Sequence, residues 1–176
     1  MSYFNNFPKV KVDMHEGANQ VLVTDITRRV RFFDMVKSNN VTYDYYDVKS
    51  GETPEYVANE FYGDPLLHWI VLLTNDIQNV YDSWPMAVQQ FESYVHAKYD
   101  NVDGIHHYEI PQTSGDTTKV IEIPNDPANT IPSNAVIVTN YEYEERRENV
   151  KRRIRLLKPE FVRQVKQELK SRLRGN

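Results

Sequence analysis

The stretch YYDVKSGETPEYVANEFYGDPLLHWIVLLTND, residues 45–76, decides the fold, because every boundary within it is written in turn and cap chemistry. It overlaps a run from Val41 to Val48 rich in Tyr and Val, residue types that suit a pleated, half-buried strand, and Ser50-Gly51 ends that strand. Thr53 can cap a helix whose first position is Pro54, where a missing N–H costs nothing, and Glu55 suits the positive end of the helix dipole. Val57, Ala58 and Phe61 make its apolar stripe. Gly63 tolerates the left-handed conformation at the helix C-terminus, and Asp64-Pro65 repeats the cap-plus-proline start for a second helix. Leu66, Leu67, Trp69, Ile70, Val71, Leu72 and Leu73 surround that second helix almost completely, which predicts a core helix. Burying each large apolar side chain there contributes about 1.5–3 kcal/mol before the entropy of ordering is subtracted. Phe61, Trp69 and Leu73 are the expected structural core.

This strand-helix-helix run resembles the lysin motif in Tyr46, Val48, Gly51, Thr53, Ala58, Tyr62, Gly63, Trp69, Asn75 or Asp76, and Ile77. A lysin motif closes within a few residues by a second strand with a Pro-Gly-x-x-Leu signal. Here the chain continues instead as NVYDSWPMAVQQFESYVHAKY, in which Val88, Phe91 and Val95 predict a third helix starting near Pro85.

Moving outward, 176 residues suffice for one substantial core, and the absence of Cys excludes a disulfide framework, a thiol nucleophile and thiolate-bound zinc. No apolar run approaches the roughly 20 residues that span a bilayer, and residues 1–11 lack the apolar segment of a secretory signal, so the expected setting is a cytoplasm. Aromatic residues make up 12%, with twelve Tyr, which suits a folded chain with contact surfaces. The net charge of -4 hides a gradient: residues 146–176 hold 12 Lys or Arg against 3 Asp or Glu, and the preceding residues hold 9 against 22. A basic tail beside an acidic body points to nucleic acid, to an acidic protein partner, or to folding back onto the body.

Three segments follow from these changes: 1–40, an arm and a helix; 41–145, the lysin-like core with a hairpin insertion; and 146–176, a basic strand and helix. In the first, YFNNFPKVKV reads as an extended aromatic arm made for contact, and Thr24 or Asp25 can cap a helix carrying Ile26, Val30 and Phe33, ended by Ser38-Asn39-Asn40. In the second, Asn101–Gly104 is a turn, Ile105–Ile110 and Thr117–Ile123 read as a hairpin around Ser114-Gly115-Asp116, and 125–133 is a loop with Pro127 and Pro132. Ala135–Tyr143 reads as a strand, expected to pair with Val41–Val48 and supply the missing closing strand. In the third, Val150, Arg152, Ile154 and Leu156 alternate with Lys151, Arg153 and Arg155 at a strand's period. Pro159 then starts a helix striped by Phe161, Val162, Val165, Leu169 and Leu173. The fold class is α+β.

The residues supply little support for catalysis. There is no HExxH, and the adjacent His106 and His107 point to opposite strand faces and cannot share a metal ion without a bulge. Asp100, Asp103, Gly104 and Glu109 miss the calcium-loop spacing. GxSxG, GxGxxG and GxxxxGK[ST] are all absent, and carboxylate pairs give no specific support to a glycosidase. His68, between Leu67 and Trp69, reads as structural. No catalytic, metal or cofactor residue is assigned. The basic tail has apolar stripes that phosphates would not bury, which favours protein contact over nucleic acid. Tyr3, Phe4, Phe7, Arg152, Ile154, Leu156, Phe161, Val165 and Leu169 are therefore the candidate partner-binding residues.

Together these features resemble the baseplate wedge protein 53 family of contractile-tailed, T-even-like bacteriophages. The resemblance rests on Asp25-Ile26-x-Arg28-Arg29, Tyr45-Tyr46, Pro54-Glu55-x-x-Ala58, Tyr62-Gly63-Asp64-Pro65-x-Leu67-x-Trp69, Asn75-Asp76, Trp84 and Glu148-Asn149 before the basic ending. It implies a virion component rather than an enzyme. Such a subunit would be present in several copies, join neighbouring wedges and other wedge proteins in the tail baseplate, be assembled in the host cytoplasm, and have no small-molecule substrate, cofactor or membrane. The alternative is a lysin-motif module binding peptidoglycan or another glycan near Gly51 and Thr53.

Overall fold

A computed structural model of the chain describes residues 3–13, 20–28, 42–112 and 119–174. Among them the chain is α+β, with six α-helices and seven strands in three small antiparallel sheets. Packing separates two compact units, 1–84 with 153–176, and 85–152. These boundaries differ from the changes of composition near 40 and 145, because a strand beyond residue 152 returns to the first unit.

In the first unit, β3 (Tyr43–Asp47) leads into α1 (Pro54–Tyr62) through the expected caps. Thr53 Oγ1 accepts from the Tyr56 N–H at 3.2 Å, and Gly63 closes the helix at φ 70°. Asp64 accepts from the Leu66 N–H at 2.9 Å to start a 3-10 turn, Pro65–Leu67, which runs into α2 (His68–Thr74). That turn corrects the picture of one helix apolar on all sides: Trp69, Ile70 and Val71 on α2 are buried, whereas Leu66 is exposed. Three residues per turn in place of 3.6 rotate Leu66 out of the stripe that α2 buries.

The closing strand is β7 (Arg153–Leu157), antiparallel to β3 with Tyr43 opposite Leu157 and Asp47 opposite Arg153. The expected pairing of Ala135–Tyr143 with β3 is overturned. Only Val136–Thr139 is a strand, β6, and it pairs with a strand of the second unit. Thr139 explains the early end: its Oγ1 accepts from the Glu142 N–H at 3.2 Å while Glu142 accepts from the Thr139 N–H at 3.0 Å. This reciprocal capping box starts helix α5 (Asn140–Arg152).

Asn75, just beyond α2, selects β7. Its Nδ2 donates to the carbonyls of Val71 at 2.9 Å and Arg155 at 2.8 Å, and its Oδ1 accepts from the Arg155 N–H at 2.8 Å. One side chain thus satisfies both backbone groups of Arg155, as a neighbouring strand would. The Tyr62 hydroxyl donates to the Leu157 carbonyl at 2.9 Å, and Trp84 Nε1 donates to the Glu52 carbonyl at 2.7 Å, after the short helix α3 (Val80–Ser83).

Beyond β7, α6 (Pro159–Arg174) buries Val165, Leu169 and Leu173 and packs Phe161 and Val162 against the same core. The aromatic arm is not extended throughout, as expected from its composition: Tyr3–Asn6 is a 3-10 turn packed on α6, stabilised by Asn6 Nδ2 donating to the Tyr3 carbonyl at 3.0 Å. An antiparallel ribbon of β1 (Lys9–Val12) and β2 (Val21–Thr24) follows. Asp25 then accepts from the Thr27 N–H at 3.2 Å and Oγ1 at 2.6 Å in a local turn, and the rest of the helix expected here, with Val30 and Phe33, lies outside the described residues. Arg28 Nη1 donates to the Leu173 carbonyl at 2.7 Å near the end of α6.

The second unit holds α4 (Val88–Lys98), a sheet ordered β5-β4-β6, and α5. Here β4 is Ile105–Pro111 and β5 is Val120–Pro124, the expected hairpin, with its connection at 113–118 outside the described residues. The period-two reading of Val150–Leu156 is corrected at its start, since α5 continues through Arg152. Glu148 and Arg152, one turn apart on α5, grip a single residue: Glu148 accepts from the Met86 N–H and Arg152 Nη2 donates to its carbonyl at 3.2 Å.

Buried Glu144 ties α5 to the end of α4, accepting from Lys98 Nζ at 2.7 Å and the Tyr99 hydroxyl at 2.9 Å. Burial alone would raise its carboxyl, but these donors, with the charges of Lys98 and Arg147, more than reverse that and hold it below the ordinary 4.5. The bond to Glu144 in turn raises Lys98 above its ordinary 10.5.

Two tests follow from this packing. Asn75→Ala leaves both Arg155 backbone groups without that partner and should cost about 2–3 kcal/mol, read by chemical denaturation. For Glu144, a lowered folded value means stability that is present above pH 4.5 and is lost as pH falls through the folded value; the Lys98 contribution is present below pH 10.5 and is lost as pH rises through its own. Glu144→Gln should cost about 2 kcal/mol at neutral pH, largely as hydrogen bonds because Lys98 is half exposed, and should flatten the acid limb of a Tm-versus-pH curve.

Candidate functional site

The candidate contact residues fall into three environments. Ile154, Leu156, Val165 and Leu169 lie in the core of the first unit, so the burial their apolar stripes require is met by the chain itself. Phe161 packs half-buried on that core, as do Phe61 and Leu73, while Trp69 is buried. Arg152 is engaged with Met86 in the second unit.

The arm divides between core and surface. Phe7 is buried, Tyr3 lies half-buried with its ring 5.4 Å from Trp69, and Phe4 is 56% exposed at 5.8 Å from Phe7. Only Phe4 of the nine candidates offers most of a large apolar side chain to solvent.

Other exposed apolar surface lies where the sequence reading assigned none. On the β1–β2 ribbon, Val10 opposes Val23 and Val12 opposes Val21, an alternation that sets these valines on one face; Leu22, opposite Lys11 on the other face, and Ile26 are also exposed. In the second unit, Ile121 opposes Ile110, and Tyr108 opposes Ile123 and Ile137, a second apolar sheet face on which Ile121 and Ile137 are half exposed. In the second unit the alternating residues were readable as strands, but which face would remain open was not, because that depends on where α5 packs.

The opposite face of that sheet carries α5 and sets the polar residues His107, Glu109 and Glu122 beside Val136 and buried Val138. Glu109 accepts from Arg146 Nη1 at 2.7 Å and lies 3.3 Å from His107 Nε2. Arg146 holds the Glu109 carboxyl below its ordinary value against the opposing effect of burial. A bulge between Ile105 and His107 brings His106 Nδ1 to 2.8 Å from His107 Nδ1, with His106 stacked on Tyr143 at 3.8 Å. The two rings therefore do not point apart, as a regular strand would require. Burial and then His107 lower the pKa of His106.

At the turn proposed for a glycan, Gly51 adopts φ 82° and is exposed, and Thr53 is engaged in the α1 cap. The Tyr46 hydroxyl donates to Glu52 at 2.9 Å, and burial, then Glu52, push it up to about 12. His68 Nδ1 meets the Pro65 carbonyl at 3.0 Å, a local turn contact.

A model of the family described as base plate wedge protein 53 matches residues 1–149, most of the chain. The chain belongs to the base plate wedge protein 53 family. The matched span covers the strand, the two capped helices and the Asn75 signal, and ends before β7 begins. Among curated proteins, the baseplate wedge protein gp53 of Enterobacteria phage T4 is 28% identical over 104 residues, which are 58% of this chain and 53% of that protein. The chain thus aligns with about half the length of that relative.

The two phenylalanines of the arm provide a test of their different environments. Phe7→Ala should cost about 3 kcal/mol of stability, whereas Phe4→Ala should stay within about 0.5 kcal/mol of the parent, both measured by denaturant unfolding.

Proposed function

We propose that this chain is a structural subunit of a phage tail baseplate wedge that joins neighbouring wedge proteins during assembly. The observation that carries this reading is the family match over residues 1–149, accompanied by the similarity to the T4 baseplate wedge protein. The role is non-enzymatic: it asks for rigid, self-complete units that present apolar faces to other proteins. The β1–β2 valine face, Phe4 and the Ile121–Ile137 face have that character. The partners are other baseplate wedge proteins and neighbouring wedges, with several copies per baseplate, and the location is the virion tail after assembly in the host cytoplasm. Among the described residues no helix is long and apolar enough to cross a membrane.

The arrangement of the first unit supports a lysin-motif-like scaffold. Strand β3, helices α1 and α2, and antiparallel β7 give a strand-helix-helix-strand unit, with residues 77–152 lying between the second helix and the closing strand. That topology keeps a glycan-binding reading as the second hypothesis, at the turn around Gly51 and Thr53. Saturable pulldown of the chain on purified peptidoglycan would favour it.

Co-expression with proteins encoded beside it in a phage genome tests the primary reading. Ile137→Asp should weaken co-purification with the wedge partner at least about ten-fold while leaving the Tm near the parent value, since the side chain is half exposed. Unchanged co-purification would remove the Ile121–Ile137 face as the contact. Failure of every neighbouring wedge protein to bind would sink the wedge reading itself.

A further inference from the structure

We propose that His107, Glu109 and Glu122 form a binding site for a divalent transition-metal ion of the zinc type. One ligand atom from each of these three side chains lies within 4.8 Å of the other two. Glu109 and Glu122 are direct cross-strand partners on β4 and β5, and His107 lies two residues from Glu109 on β4, so rigid strands position all three. The 3.3 Å between His107 Nε2 and Glu109 Oε1 is close to the separation of two ligands on a tetrahedral zinc with bonds of about 2.0–2.1 Å. An imidazole with two carboxylates suits zinc and its first-row neighbours better than magnesium or calcium, and leaves a fourth position for water.

The charge arrangement also calls for a cation. Opposed carboxylates across an antiparallel pair repel, and Arg146 bonds only Glu109; Glu122 has no hydrogen bond or ion pair among the described residues. The buried His107 adds a choice of tautomer. If its Nδ1 accepts a hydrogen bond from His106 Nδ1–H, its Nε2–H can donate to Glu109 and the cluster is satisfied without an ion. If instead it donates Nδ1–H to His106, its Nε2 lone pair faces the Glu109 carboxylate, and a metal ion between them resolves the clash. His106, stacked on Tyr143, then serves as the outer partner that orients the metal-binding ring. Arg146 competes with the ion for Glu109.

The test is titration of the untagged full chain with zinc(II) by calorimetry, and with cobalt(II) by visible absorption, at neutral pH. One ion per chain is expected, with a Tm that rises with metal concentration. Glu122→Gln, at an exposed position, should not lower the metal-free Tm and should weaken binding at least about ten-fold, whereas Arg146→Gln should tighten it. Absence of saturable binding, a Glu122→Gln variant that binds as the parent does, or weakening by Arg146→Gln would each overturn the site. None of these readouts requires baseplate assembly, so the outcome is separate from that of the wedge reading.

Discussion

The first unit depends on a single carboxamide. A strand of five residues cannot stand in water against one partner strand alone, since each of its outward backbone groups would lose a hydrogen bond on burial. Asn75 removes that difficulty for β7 by presenting an acceptor to the Arg155 N–H and a donor to its carbonyl, fixing the strand between β3 and the end of α2. Tyr62 binds the last carbonyl of the strand in the same manner. With β7 held, Ile154, Leu156 and Leu157 enter a core that also holds Phe7, Tyr43, Val48, Trp84 and residues of α1 and α2, and α6 follows onto the same core.

This closure accounts for the division of the chain. The segment between α2 and β7 is long enough to form a second unit, and β7 follows α5 directly in the chain. It also gives the basic tail a local role. Arg153 lies 5.0 Å from the Tyr45 ring and opposite Asp47, and Arg155 lies 5.5 Å from the Tyr43 ring, so positive charge at the end of the chain meets aromatic and acidic groups of β3. Folding back onto the body is one of the three roles that a segregated charge admits.

For a member of the base plate wedge protein 53 family, this distribution of surfaces has a consequence for how contact is made. Ile154, Leu156, Val165 and Leu169, whose apolar periodicity marks them as needing cover, obtain it from their own unit, and part of the open apolar area lies on short strands whose two faces are not equivalent. The strand-helix-helix-strand unit of β3, α1, α2 and β7 serves as a support in this account. The α5-facing side of the second sheet, by contrast, gathers two histidines, two glutamates and an arginine near one bulge.

What the sequence by itself determined is local. Thr53-Pro54, Gly63, Asp64-Pro65 and Pro159 set the starts and stops of helices, because a cap or a fixed φ acts within one turn of chain and needs no distant partner. The Thr139-x-x-Glu142 box was equally local and marks the end of β6, but the β-branched run before it carries the same period whether or not a helix follows. Tertiary structure alone decided which strand closes on β3, since β6 and β7 both satisfy the alternation and only β7 meets Asn75. It also decided which sheet face stays open, and that a bulge turns His106 and His107 toward each other. Such choices depend on contacts between residues far apart in the chain, where periodicity within a segment carries no information about the partner.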